Sequence, residues 1–79
     1  IYNIETLSVD NCSFIQNSAQ YGAGIYNTGT LTAVTNSTFT GNTSGGDGAA
    51  IYNASTDTVE SISGSTFTGN SATFGGAIY

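Results

Sequence analysis

Glu5, Asp10, Asp47, Asp57 and Glu60 are the five charged side chains of a 79-residue sequence that contains no Lys, Arg or His and carries a net charge of -5. Two carboxylates can serve as general acid and base on a glycosidic bond when they converge on one face. These five fall at different positions of the repeating pattern described below, so no such pair is expected. Proton abstraction by a basic side chain has no residue to perform it. The sequence is therefore not expected to encode an enzyme. Glu5 and Asp57 share one loop edge and could hold a weak calcium ion at most, because a dedicated calcium site draws on about six to eight oxygen ligands. No other metal or cofactor is implied.

Cys12 is the single cysteine, which makes neither a disulfide framework nor a redox pair. It stands where other copies of the pattern have Ser37 and Ser65 and is expected to point inward or to lie at a corner as a small substitute for serine. Asn-x-Ser/Thr triplets begin at Asn11, Asn36, Asn42 and Asn53. Asn53, beside a loop of variable length, is the candidate glycosylation acceptor.

The elements that must position these residues are copies of one unit. Phe14-Ile-Gln-Asn17, Phe39-Thr-Gly-Asn42 and Phe67-Thr-Gly-Asn70 recur at spacings of 25 and 28 residues, in step with Ile-Tyr pairs at Ile1, Ile25, Ile51 and Ile78. A unit this short cannot enclose a core alone, so each copy must lie on the next. Good helix formers are scarce, while Thr, Ser, Asn and Gly fill short runs that alternate polar with apolar residues, which reads as strand throughout. The expected architecture is all-β: a right-handed parallel β-helix, or β-solenoid, forming a single repeat array over residues 1–79. Its coils span residues 1–24, 25–50 and 51–77, and a fourth opens at 78–79.

Superposing the copies gives the core as Leu7, Leu31 and Val59, then Val9, Val34 and Ile62, then Phe14, Phe39 and Phe67. Residues 54–58 form a loop, and Gly45, Gly46, Asp47 and Gly48 supply turn chemistry. Leu31-Thr32-Ala33-Val34 is one residue longer than Leu7-Ser8-Val9, which implies a bulge or corner, with Thr32 aligned to Ser8 and Glu60. Asn17, Asn42 and Asn70 are expected to form an amide ladder, with Asn3, Asn27 and Asn53 as a second. Successive strand residues face opposite ways, so Ile25, Ile51 and Ile78 are expected inside. Tyr2, Tyr26, Tyr52 and Tyr79 are then expected to line the outside as an aromatic stack, which could stiffen the coil or bind sugar rings or a sister filament.

The alternation of Phe-x-x-Asn with Gly75-Gly76-Ala77-Ile78 resembles the repeats of the polymorphic outer-membrane proteins and of related very large bacterial surface proteins. Gly22-Ala23-Gly24-Ile25 and Gly48-Ala49-Ala50-Ile51 keep the small-residue character of the second motif. The polymorphic outer-membrane proteins are autotransporter adhesins whose passenger regions are parallel β-helices. The resemblance implies that architecture and a bacterial cell-surface setting.

Composition narrows the partners. Without a basic residue the chain cannot neutralise phosphates, so nucleic acid is not expected, and an anionic membrane surface is excluded by the same charge. The longest apolar stretch, Ala49 to Tyr52, falls far short of the roughly 20 residues that span a bilayer. A polar, nearly uncharged surface without trypsin-type cleavage sites suits an extracellular or cell-surface location. No segment of the sequence reads as a cap. The expected role is a structural β-solenoid, either a segment of a long repeat protein or a protomer that self-associates through its terminal coils into a fibre. The alternative is an adhesin scaffold that binds a glycan or a neighbouring surface. A third reading, ice binding, follows from Thr30-Leu31-Thr32, Thr38-Phe39-Thr40 and Thr66-Phe67-Thr68, although Ile15 interrupts those rows.

Overall fold

Twelve short strands in the computed structural model, which describes residues 1–54 and 56–79, form parallel sheets. The first coil contains β1 (Tyr2–Asn3), β2 (Thr6–Asp10), β3 (Ser13–Ile15) and β4 (Ser18–Ala19). The second contains β5 (Ile25–Asn27), β6 (Thr30–Thr35), β7 (Thr38–Thr40) and β8 (Thr43–Ser44). The third contains β9 (Ile51–Asn53), β10 (Thr58–Val59), β11 (Ile62–Ser63) and β12 (Thr66–Thr68). Every pairing among these strands joins one coil to the next in parallel, giving sheets β1-β5-β9, β12-β7-β3 and β4-β8, and a fourth in which β2, β10 and β11 all pair β6. The shortest dimension, 15 Å, fits three layers at about 4.8 Å each. The chain is an all-β parallel β-solenoid of about three coils.

Register follows the repeat. Leu7 pairs Leu31 and Val59 pairs Leu31; Val9 and Ile62 both pair Val34; Phe14 and Phe67 both pair Phe39. All nine belong to one apolar cluster, which also takes in Ile25, Ala50 and Ile51. Burial follows layer with one exception: Leu31, Val34 and Phe39 of the middle coil are fully buried and their partners Leu7, Val59, Ile62, Phe14 and Phe67 are half-buried, whereas Val9 of the first coil is also buried. The phenylalanine rings stack nearly parallel, with centroids 4.6 Å apart for Phe14–Phe39 and 4.8 Å for Phe39–Phe67. In-register parallel strands impose this, because identical side chains leave the sheet in the same direction one strand spacing apart.

Two details of the alignment change. Ser8 pairs Ala33, not Thr32, and the register shifts between Leu7 and Ser8. Thr32 is thus the extra residue of the bulge, and its Oγ1 donates to the Leu7 carbonyl at 3.0 Å. This keeps Leu31 and Val34 facing inward together. The loop expected at 54–58 ends earlier, because Thr58 already pairs Thr30 in β10; Ser55 lies outside the described residues.

Corners are set by columns of left-handed residues. Asn11, Asn36 and Gly64 have φ of 51°, 50° and 60°; Gln16, Gly41 and Gly69 have 54°, 64° and 63°; Gly22, Gly48 and Gly75 have 55°, 63° and 59°. At the third corner glycine is required on two counts, since a Cβ at Gly22 or Gly48 would also press on the carbonyl of Ile25 or Ile51. That corner turns the chain into the Ile-Tyr strands, which carry the candidate site.

Candidate functional site

Ile25 and Ile51 are fully buried. Alternation along β5 and β9 therefore turns Tyr26 and Tyr52 outward, where in-register pairing stacks them. Ring centroids are 5.2 Å apart for Tyr2–Tyr26, 4.9 Å for Tyr26–Tyr52 and 5.5 Å for Tyr52–Tyr79. Tyr2 and Tyr79 are more than half exposed, whereas Tyr26 and Tyr52 between them are half-buried. Ile78 bridges Ile51 yet stays 41 % exposed, as does Ile1 at 54 %, because each belongs to an outer layer covered on one side.

Tyr21 joins this edge although it lies outside the Ile-Tyr pattern. Its ring meets Tyr52 at 5.4 Å and Tyr26 at 6.5 Å, tilted by 52° and 73°. The side chain reaches across the layer over Gly46, where a Cβ would collide with the ring. The sequence signal for this contact was the small residue at Gly46 one copy after an aromatic. Half-burial pushes the Tyr52 phenol above its ordinary pKa, and Tyr26, Tyr79, Asp47 and Tyr21 push in the same direction by resisting a second negative charge beside them.

Both sets of asparagines form continuous ladders, Asn3, Asn27 and Asn53 on the Ile-Tyr strands and Asn17, Asn42 and Asn70 after the phenylalanine strands. Asn3 Nδ2 donates to Asn27 Oδ1 and Asn27 Nδ2 to Asn53 Oδ1, each at 2.7 Å. Asn17 Nδ2 donates to Asn42 Oδ1 at 3.1 Å and Asn42 Nδ2 to Asn70 Oδ1 at 3.0 Å. Both ladders run donor to acceptor from the first coil to the third. Backbone groups join as well: Asn42 Oδ1 also accepts from the Asn17 N–H, and Asn42 Nδ2 also donates to the Phe14 carbonyl. Among the described residues no buried side-chain nitrogen or oxygen lacks a partner.

Asn53 has its amide nitrogen occupied, donating to the carbonyls of Asp57 at 2.8 Å and Ala54 at 3.3 Å. Ser55, which completes its glycosylation triplet, lies outside the described residues. Of the two placements expected for Cys12, inward or at a corner, it takes the corner, between β2 and β3, and is exposed. Its counterpart Ser37 is buried because layers cover it on both sides; Cys12 sits in the first layer, with its backbone N–H on Ser37 Oγ and its Sγ 3.2 Å from the Asp10 carbonyl.

The carboxylates do not all occupy different repeat positions. Glu5 and Asp57 immediately precede Thr6 and Thr58, which both pair Thr30, so they stand at equivalent places two layers apart with Gly29 between. That separation is about 10 Å, which weakens their repulsion. Asp10 accepts from Thr35 Oγ1 at 2.6 Å and Glu60 is exposed. Among the described residues no three His, Cys, Asp or Glu side chains gather as metal ligands. Threonines form the column Thr6, Thr30, Thr58 and the rows Thr38, Thr40 and Thr66, Thr68, with Ser13 and Ile15 completing the rows in the first coil. No helix in the described residues is long and apolar enough to cross a membrane.

The family model for the Chlamydia polymorphic membrane protein repeat matches residues 11–28, 36–54 and 64–79, well over half of the chain. Each matched stretch runs from a left-handed corner through a rung of the Asn17–Asn42–Asn70 ladder to an Ile-Tyr pair. No curated protein and no solved structure matches the chain.

Proposed function

Because the chain belongs to the Chlamydia polymorphic membrane protein repeat family, we propose that it is a structural stretch of a surface-displayed β-solenoid, holding a rigid, extended shape outside the cell. The observation that carries this reading is the pair of asparagine ladders, which run through all three coils in one direction. A ladder of this kind extends by adding layers, since each added coil repeats the same donor and acceptor pair. The role needs no catalytic group. Self-association of terminal coils and continuation within a longer polypeptide are two ways of extending the same stack.

Antibodies raised against the chain should label intact cells of the source organism, and external protease treatment should remove the label. Labelling only after permeabilisation overturns surface display. The mass of the antibody-reactive polypeptide separates the two modes of extension: a long repeat protein is many times the 79-residue chain, whereas a stacking protomer is not.

The outward tyrosine column favours a second reading, an adhesin scaffold. Four phenol rings in one column, Tyr26, Tyr52 and Tyr79 stacked and Tyr2 tilted by 39°, make a continuous aromatic strip suited to sugar rings or another surface. A glycan screen with Tyr26→Ala and Tyr52→Ala as controls tests it; binding insensitive to both substitutions, or none, removes the reading.

A further inference from the structure

At the glycine corner leading into the Ile-Tyr strands, one acidic residue shares a column with two aromatic residues. Asp47 is bridged to Phe74, and its carbonyl accepts from the Gly22 N–H at 3.3 Å. It therefore occupies the middle layer between Tyr21 of the first coil and Phe74 of the third. Tyr21 lies over Gly46 and stands at 73° to Tyr26 and 52° to Tyr52, while those two rings stack with each other at 27°. The result is an angular corner rather than a flat strip. Tyr21 at 42 % and Phe74 at 64 % exposure leave its outer wall open.

Aromatic faces carry negative potential and attract a cation placed within about 6 Å of the ring centre. Asp47 adds a full negative charge to the same place. No side chain of this sequence can answer it, because Lys, Arg and His are all absent, and a second copy brings no cationic side chain either. We propose that the corner formed by Tyr21, Tyr26 and Tyr52 beside Asp47 docks a lysine- or arginine-bearing segment of a partner protein. The charge complementarity selects that occupant. A neutral sugar can donate hydroxyl hydrogen bonds to Asp47 but brings no positive charge to pair with it or to face the rings, and a nucleic acid would be repelled by the net charge of -5. The inference depends on the outward placement of these rings, and it stands whether the chain extends as a long repeat protein or as a fibre.

The test is calorimetric titration of the 79-residue chain with the peptide Gly-Lys-Lys-Lys-Gly at about 0.15 M salt, where charges beyond about 8 Å are screened. Saturable binding is expected. Tyr21→Leu and Asp47→Asn should each weaken it roughly three-fold or more. Glu60→Gln, which removes the same net charge elsewhere, should leave it unchanged, and Tyr21→Phe, which keeps the ring, should retain it. In the unmodified chain the amide resonances of Gly46 and Asp47 should shift on titration, a readout that does not depend on any variant folding. Equal losses for Glu60→Gln and Asp47→Asn would show diffuse attraction and overturn the proposal. So would equal binding of the same peptide with acetylated lysines, binding of cellohexaose in place of the peptide, or no saturable binding.

Discussion

Asn42 and Asn70 are joined by a side-chain bond of 3.0 Å between Nδ2 and Oδ1, while Asn42 Oδ1 takes two N–H groups from Asn17. Asn42 is fully buried and Asn17 is exposed. The middle rung thus serves layers on both sides, and its loss leaves donors and acceptors unsatisfied above and below. Asn42→Ala should cost about 2 to 4 kcal/mol and Asn17→Ala no more than about 1.5 kcal/mol. Urea unfolding of the two variants measures the difference, and equal midpoints would rule out a special role for the central rung.

The phenylalanine stack predicts a similar gradient from packing. Phe39 is fully buried between Phe14 and Phe67, which are half-buried. Phe39→Ala should destabilise by roughly 3 to 5 kcal/mol, and Phe67→Ala by about half as much. Thermal unfolding compares them, with Phe67→Ala at or beyond the Phe39→Ala loss as the contrary outcome.

Left-handed corners differ in what they tolerate. Gly48 has φ 63° and a Cβ there would press on the Ile51 carbonyl, whereas Gly69, also at 63°, has nothing within 4 Å. Asn11 and Asn36 show that asparagine occupies such corners in this fold. Gly69→Asn should change stability by no more than about 0.5 kcal/mol, and Gly48→Ala should lose about 1 to 3 kcal/mol. A tolerated Gly48→Ala would place the corner incorrectly.

Tyr52 titrates above the ordinary phenol range, first because half-burial strips water from it and then because Tyr26, Tyr79, Asp47 and Tyr21 resist its charge. Unfolding returns it to about 10. The folded state holds that proton more tightly, so the contribution is complete below about pH 10 and is lost as pH climbs through the raised folded value. An ultraviolet phenolate titration should contain a late component that Tyr52→Phe removes. A curve unchanged by that substitution would contradict the crowding around Tyr52.

Repeat spacing alone determined the architecture and the inner columns. Matching Phe14, Phe39 and Phe67 placed the stack, and matching the Ile-Tyr pairs placed one side chain inside and its neighbour outside. Parallel in-register strands convert sequence period directly into spatial column, so both asparagine ladders are legible in the repeat itself. What only the tertiary structure decided arises where the chain leaves the strands. Tyr21 swings over Gly46 to meet two rings of the column, Thr32 rather than its neighbour becomes the bulge, Glu5 falls in register with Asp57 two layers away, and Cys12 turns to solvent while Ser37 is sealed. Those outcomes depend on corner dihedrals and on whether one or two layers cover a position, and a one-dimensional repeat encodes neither.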